Sequence, residues 1–109
     1  MKLGNIIKNC GTVTTKGDLT MEVNSLTSDS RKVVPGTMFI AVKGFAGDGH
    51  KFIASALAKG AAAIMYEDPQ ELEAQVNTAR QEGIVNADEA AFVQVENSRH
   101  AEAMAAADF

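Results

Sequence analysis

The run Gly44-Phe45-Ala46-Gly47-Asp48-Gly49-His50 leaves an apolar segment and enters a helical pattern with three glycines among its seven residues. A glycine-rich step from strand to helix suits an anion. The free N–H groups and positive dipole end of a helix start favour negative charge, and Gly44, Gly47 and Gly49 would let backbone approach it closely. A phosphate is the natural guest. The spacing G-x-x-G-x-G is neither the dinucleotide fingerprint nor the P-loop, and G-K-[ST] occurs nowhere in the chain. The same glycines also serve as a plain turn with Asp48 capping the helix, and composition leaves both readings open. An inward-pointing Asp48 would repel phosphate, so capping is its expected task in either case.

A second polar group precedes the strand. Ser28, Ser30 and Arg31 offer two hydroxyls and a fixed cation, a set able to hydrogen-bond a phosphate, a sugar or a base edge. Asp29 is placed either to hold Arg31 and the local backbone, as a surface corner, or to meet a ligand. His50 and His100 have no Cys, Asp or Glu at metal-ligand spacing, so no metal site is expected. Cys10, the one cysteine, excludes an internal disulfide and reads as a reduced small hydrophobe near a helix end. Glu67, Asp68, Glu71 and Glu73 read as a solvated helix end. Binding is therefore expected before catalysis, and no catalytic residue is assigned.

The elements that must carry these groups follow from patterning. Leu3, Ile6 and Ile7 at helical spacing, with Gly11 behind them, predict a short helix over residues 2–9. Val13 to Thr15, the turn residues Lys16-Gly17-Asp18, and Leu19, Met21 and Val23 in alternation predict a small hairpin with one buried face. Val34-Pro35-Gly36 has type II turn chemistry, and the apolar run over residues 38–42 after it suits a central strand covered on both faces. Phe52, Ile53, Ala56 and Leu57 give a helix over residues 49–59 its apolar face, with Gly60 as its stop. A strand over residues 61–66 should lie parallel to the first. Asp68-Pro69-Gln70-Glu71 is a helix start. Residues 83–90 read as loop, residues 91–95 as a third strand, and Asn97 or Ser98 as the cap of a last helix. The order is β-rich at first, then β-α-β-α-β-α, which predicts a small two- or three-layer α/β domain with a mixed, mostly parallel sheet.

With 109 residues, 46% hydrophobic and 22% charged, the chain is expected to form one soluble domain over residues 1–109. A net charge of −4 argues against nucleic acid held on a broad basic face. No apolar run approaches the roughly 20 residues of a membrane span, and no secretory signal is evident, so a cytoplasmic setting is expected. The ending at Asp108-Phe109, without a helix stop, suggests a piece of something longer.

Taken together, Thr27-Ser28-Asp29-Ser30-Arg31, Val34-Pro35-Gly36, the run from Met38 to Gly44, Asp48-Gly49-His50-Lys51-Phe52-Ile53, Ala56 and Gly60-Ala61 resemble the N-terminal domain of the Mur ligases. The resemblance covers most of residues 19–66 and, more loosely, 90–109, and residues 67–90 are longer than usual. It is strongest to the branch that adds the third amino acid of the peptidoglycan stem peptide. The D-alanyl-D-alanine-adding branch is the near alternative, and a non-catalytic nucleotide-binding or interaction module the alternative from another class. What the resemblance implies is a domain that holds the UDP end of UDP-N-acetylmuramoyl-L-alanyl-D-glutamate. Ser28, Ser30, Phe45, Ala46 and Gly47 would then lie at the UDP site, with Arg31, Gly44 and Gly49 as additional candidates. Phe45 and Ala46 stand where some members carry histidine and glutamine, which implies backbone contacts there. ATP and magnesium would be bound by further domains, and the chain alone would be inactive.

Overall fold

The computed structural model describes residues 1–44 and 47–109. Among these, five strands form one sheet: β1 (Thr12–Lys16), β2 (Ser25–Thr27), β3 (Thr37–Ile40), β4 (Ala63–Tyr66) and β5 (Ala91–Val95), in the order β1-β5-β4-β3-β2. β2, β3, β4 and β5 run parallel, and β1 pairs antiparallel with β5. The expected mixed, mostly parallel α/β sheet is thus the one that forms.

Side chains that alternate along a strand go to opposite faces, and here each face has its own helical layer. Met38, Ile40, Met65 and Val93 pack with α1 (Leu3–Ile7) and α5 (Ser98–Asp108). Phe39, Ile64, Tyr66 and Phe92 pack with α2 (Ile53–Ala58), α3 (Pro69–Gln81) and α4 (Asn86–Glu89). Every residue of β3 and β4 is buried, which explains their unbroken apolar character. The turn before β3 closes with the Thr37 N–H donating to the Val34 carbonyl at 3.0 Å, and Gly36 supplies the φ of +91° that a side chain would resist.

The expected hairpin does not form. All five residues of β1 are exposed, and its partner is β5. The alternation of Leu19, Met21 and Val23 has another cause, because that segment covers the start of α1. The Leu19 and Met21 carbonyls accept from the Gly4 and Leu3 N–H groups at 2.8 and 3.0 Å, taking donors that no cap side chain serves. Residues 83–90, expected as loop, contain α4. Asn86 anchors it by donating from Nδ2 to the Leu57 and Ala61 carbonyls. The helix expected over residues 49–59 is split into a 3-10 turn, Gly49–Phe52, and α2. Phe52, expected on its apolar face, is 53% exposed, whereas Ile53, Ala56 and Leu57 are buried.

Candidate functional site

The polar corner follows β2. Asp29 caps a 3-10 turn, Ser30–Lys32: its Oδ1 accepts from the Arg31 N–H and Nε at 3.0 Å each, and its Oδ2 from Nη2 at 2.9 Å. Hydrogen bonds from the Arg31 side chain, then from its backbone, hold the Asp29 carboxyl down at about 2. Asp29 therefore holds Arg31, and this guanidinium already carries a bidentate counter-ion. Ser28 is exposed and Ser30 half-buried beside it.

The glycine loop follows β3. Its internal hydrogen bonds use two of the expected donors: the Gly44 N–H donates to the Gly47 carbonyl at 3.1 Å and the Gly49 N–H to the Val42 carbonyl at 2.8 Å. Asp48 closes the helix start, its Oδ1 accepting from the His50 N–H at 3.0 Å and from His50 Nδ1 at 2.6 Å. The imidazole is fully buried, and its Nε2 accepts from the Glu67 and Asp68 N–H groups at 2.9 and 3.1 Å. That pattern puts the ring proton on Nδ1. Burial pushes the Asp48 carboxyl up, but the His50 hydrogen bonds, with help from the nearby Lys43 charge, outweigh it and leave the carboxyl below its usual value. The helix start expected to receive an anion is thus filled by the protein's own carboxylate. Phe45 and Ala46, expected at the ligand, lie outside the described residues.

The glycines divide by environment. A Cβ on Gly49 would stand 2.8 Å from the Val42 nitrogen and 3.2 Å from its oxygen, so this glycine is required by backbone packing. On Gly47 a Cβ would meet nothing within 4 Å. Of the two, Gly47 is the one that faces open space.

Of the four carboxylates expected to be solvated, Glu73 is exposed, whereas Glu67, Asp68 and Glu71 are fasteners. Glu67 Oε1 accepts from the Ser98 N–H at 2.8 Å and from Ser98 Oγ at 3.1 Å, and Ser98 Oγ accepts from the Lys43 N–H at 3.0 Å. With Ser98 fully buried, this chain of bonds ties together the segments that leave β3, β4 and β5. Asp68 caps α3 and pairs with Lys43 at 3.6 Å, and Glu71 pairs with Lys51 at 3.0 Å. The Glu71 N–H does most to hold the Asp68 carboxyl below its usual range, against burial and with help from Lys43.

Two adjoining clefts open above this scaffold. One, of about 470 Å³, is lined by Ser28, Val42, Gly44, Gly47, Asp48, Gly49, Phe52 and Arg99. The other, of about 440 Å³, is lined by residues 28–31 and Phe52. Ser28 and Phe52 border both, so the corner and the loop converge on one region, and both volumes suit a small organic ligand. Sequence reasoning missed Phe52, having assigned it to the core, and Arg99. The signal for Arg99 was its place just after the cap of α5, at the carboxyl end of a parallel strand, the same rule that singled out the glycine loop. A third hollow, of about 180 Å³ and lined by Tyr66, Leu72, Val76 and Phe92 with Lys16 and Arg80, shares no residue with the clefts. Among the described residues, no group of three or more His, Cys, Asp and Glu side chains is placed to hold a metal ion, and no helix is long and apolar enough to cross a membrane.

An open, mostly parallel sheet with clefts beyond its strands' carboxyl ends is an α/β architecture with room for a ligand at that end. The chain belongs to the Mur ligase family: the model described as "Mur ligase family, catalytic domain" matches residues 22–109. A UDP-N-acetylmuramoyl-L-alanyl-D-glutamate--2,6-diaminopimelate ligase of Clostridioides difficile is 47% identical over 68 residues, 62% of this chain and 14% of that protein. The enzyme of the same name from Cytophaga hutchinsonii is 33% identical over 109 residues, all of this chain and 20% of that protein. Among solved structures, the UDP-N-acetylmuramoylalanyl-D-glutamyl-2,6-diaminopimelate--D-alanyl-D-alanyl ligase of Acinetobacter baumannii superposes with a TM-score of 0.54 at 27% identity. That match covers 75% of this chain and 15% of the solved one. The chain therefore spans a fifth or less of the length of these relatives.

Proposed function

We propose that residues 1–109 form the substrate-holding first domain of an ATP-dependent amide-forming ligase, and that they bind the UDP end of UDP-N-acetylmuramoyl-L-alanyl-D-glutamate. The full enzyme would add the third amino acid of the peptidoglycan stem peptide. The observation that carries this reading is the convergence of Ser28, Ser30 and Gly47 on two adjoining clefts in a chain of this family. Hydroxyls at Ser28 and Ser30 can both donate and accept, as a uracil edge and ribose require. Phe52 presents an exposed ring between the clefts, suited to lie against a base. The sequence relatives favour the third-residue-adding branch, while the solved neighbour keeps the D-alanyl-D-alanine-adding branch as a second reading.

The chain's own residues do not fit magnesium-bound ATP. It has no G-K-[ST] loop, and its acidic groups at the clefts are engaged in caps and ion pairs. ATP and magnesium would be bound by other parts of the full-length enzyme, and no bond-making step is assigned to residues 1–109.

Titration with UDP, followed by amide chemical shifts, should move the signals of residues 28–31, Gly44 and residues 47–49. An absence of movement there at millimolar UDP would refute the reading. Gly47→Val sharpens the test, because its side chain enters open space rather than the protein. Its melting temperature should stay near that of the parent while UDP affinity falls by roughly tenfold or more. Equal loss of both would mean that the loop is only a turn.

A further inference from the structure

We propose that the hollow of about 180 Å³ between α3 and the strands β4, β5 and β1 is a second binding site, and that it takes a small aromatic monocarboxylate. It shares no residue with the two clefts, so it stands apart from the UDP reading. The hollow follows from the sheet. Phe92 packs with α2, α3 and α4, and Lys16, its partner across the β1–β5 ladder, lies on the same face. Helices cover Ile64, Tyr66 and Phe92 on that face, yet every residue of β1 is exposed, so the layer stops short of the last strand.

Tyr66 carries the proposal. It is 6% exposed within the core of this layer, and among the described residues its hydroxyl has no hydrogen-bond partner. Burial alone raises its pKa, with no bonding group acting on it. Among the described residues no fully enclosed side-chain nitrogen or oxygen lacks a partner, so this unpaired hydroxyl opens on the hollow that Tyr66 lines. A tyrosine hydroxyl held in a core normally finds a partner. Here the partner has to come from the hollow.

The walls define the guest. Leu72, Val76, Ala87 and Phe92 offer an apolar floor, and the space holds a single ring rather than a ligand that needs about 300–1,000 Å³. Above the floor stand donors: the Tyr66 hydroxyl, the Asn77 amide, the Lys16 ammonium and the Arg80 guanidinium. Arg80 is paired through Nε with Asp88 at 2.8 Å, so its part is electrostatic. Donors in this number suit an acceptor-rich head, and a carboxylate is the compact one. Glu73, exposed on the same rim, opposes a second negative charge and so disfavours a phosphate or a dicarboxylate.

Benzoate and benzyl alcohol, one ring with and without the charge, are the probes, titrated into the 109-residue chain and followed by amide chemical shifts. Benzoate should move the signals of Lys16, Tyr66, residues 72–77 and Phe92 with a midpoint in the millimolar range, as suits about nine heavy atoms, and leave residues 47–49 unmoved. Benzyl alcohol should bind about threefold more weakly or worse. Tyr66→Phe should weaken benzoate by about fivefold or more. Its melting temperature should equal or exceed the parent's, because the hydroxyl it removes bonds nothing in the protein. Lys16→Gln should weaken benzoate by about two- to fivefold and leave benzyl alcohol unchanged. No shifts around the hollow at about 20 mM benzoate would overturn the site. Equal binding of the two probes would overturn the carboxylate, and benzoate binding by Tyr66→Phe within about twofold of the parent would show that the hydroxyl serves only water. A lowered melting temperature for that variant would place its partner inside the protein and remove the ground for the proposal.

Discussion

Asp29 shows how a residue chosen for ligand chemistry can be committed to the protein. Its carboxylate accepts three hydrogen bonds from Arg31, and those bonds hold its pKa at about 2. An unfolded aspartate titrates near 3.9, about two units higher. Because the folded value is the lower one, the contribution to stability is fully present above about pH 4 and disappears as pH falls toward about 2. Asp29→Asn should therefore lower stability by a constant amount near neutrality. The difference from the parent should shrink through that acid window, as read by circular dichroism melts at stepped pH. A difference that stays constant down to about pH 2 would show that the carboxylate is not the source. From the sequence, the pairing with Arg31 was one of two open readings for Asp29. Choosing between them needed the backbone geometry of the 3-10 turn, which residue types alone do not specify.

At the scale of elements, the parallel core was legible because its strands are buried on both faces and its helices carry local signals. Asp48 and Asp68 cap where expected, and of Asn97 and Ser98, the two candidates for the last cap, Asn97 takes it. What was not legible depends on contacts between distant segments. The partner of β1 comes from the other end of the chain, so the pairing of Thr12 with Val95 leaves no local trace. α4 follows Val85 without a side-chain cap and is held by Asn86 bonds to the Leu57 carbonyl in α2 and the Ala61 carbonyl after it. The Glu67–Ser98–Lys43 fastening was hidden for the same reason, since an acidic residue beside a helix cap looks solvated until a buried serine meets it. Ser98→Ala tests how much that fastening contributes. The variant keeps the Ser98 N–H bond to Glu67 but strands the part-buried Lys43 N–H. A cost of about 1–3 kcal/mol is expected in urea melts. Amide exchange should quicken most at Lys43, where the segment leaving β3 is released. Unchanged stability and exchange would mean that water replaces the hydroxyl without loss.

Over the whole molecule, one sheet serves two cores that share strands but no side chains. Met65 packs with α1 and α5 while its neighbour Ile64 packs with α2, α3 and α4. Loss of β4 pairing therefore dismantles both layers together, and the clefts are built from segments leaving β2, β3 and β5. The chain carries a natural reporter in each layer. Tyr66 is its one tyrosine, with no tryptophan present, and is 6% exposed among the α2, α3 and α4 contacts. Cys10 is 1% exposed against α1 and α5, with its Sγ 3.5 Å from the Ile6 and Ala101 carbonyls. Burial, and then the Asp108 charge, push its thiol pKa up, so reaction with a thiol reagent requires opening. A domain of this size is expected to be stable by about 5–15 kcal/mol and to unfold in one step. Tyrosine fluorescence and Cys10 labelling should then give the same urea midpoint. Labelling that leads the fluorescence change would show the α1–α5 layer opening by itself. In that case Arg99, which lines the larger cleft from the start of α5, would leave it before the rest of the sheet unfolds, and UDP binding should fail at the earlier midpoint.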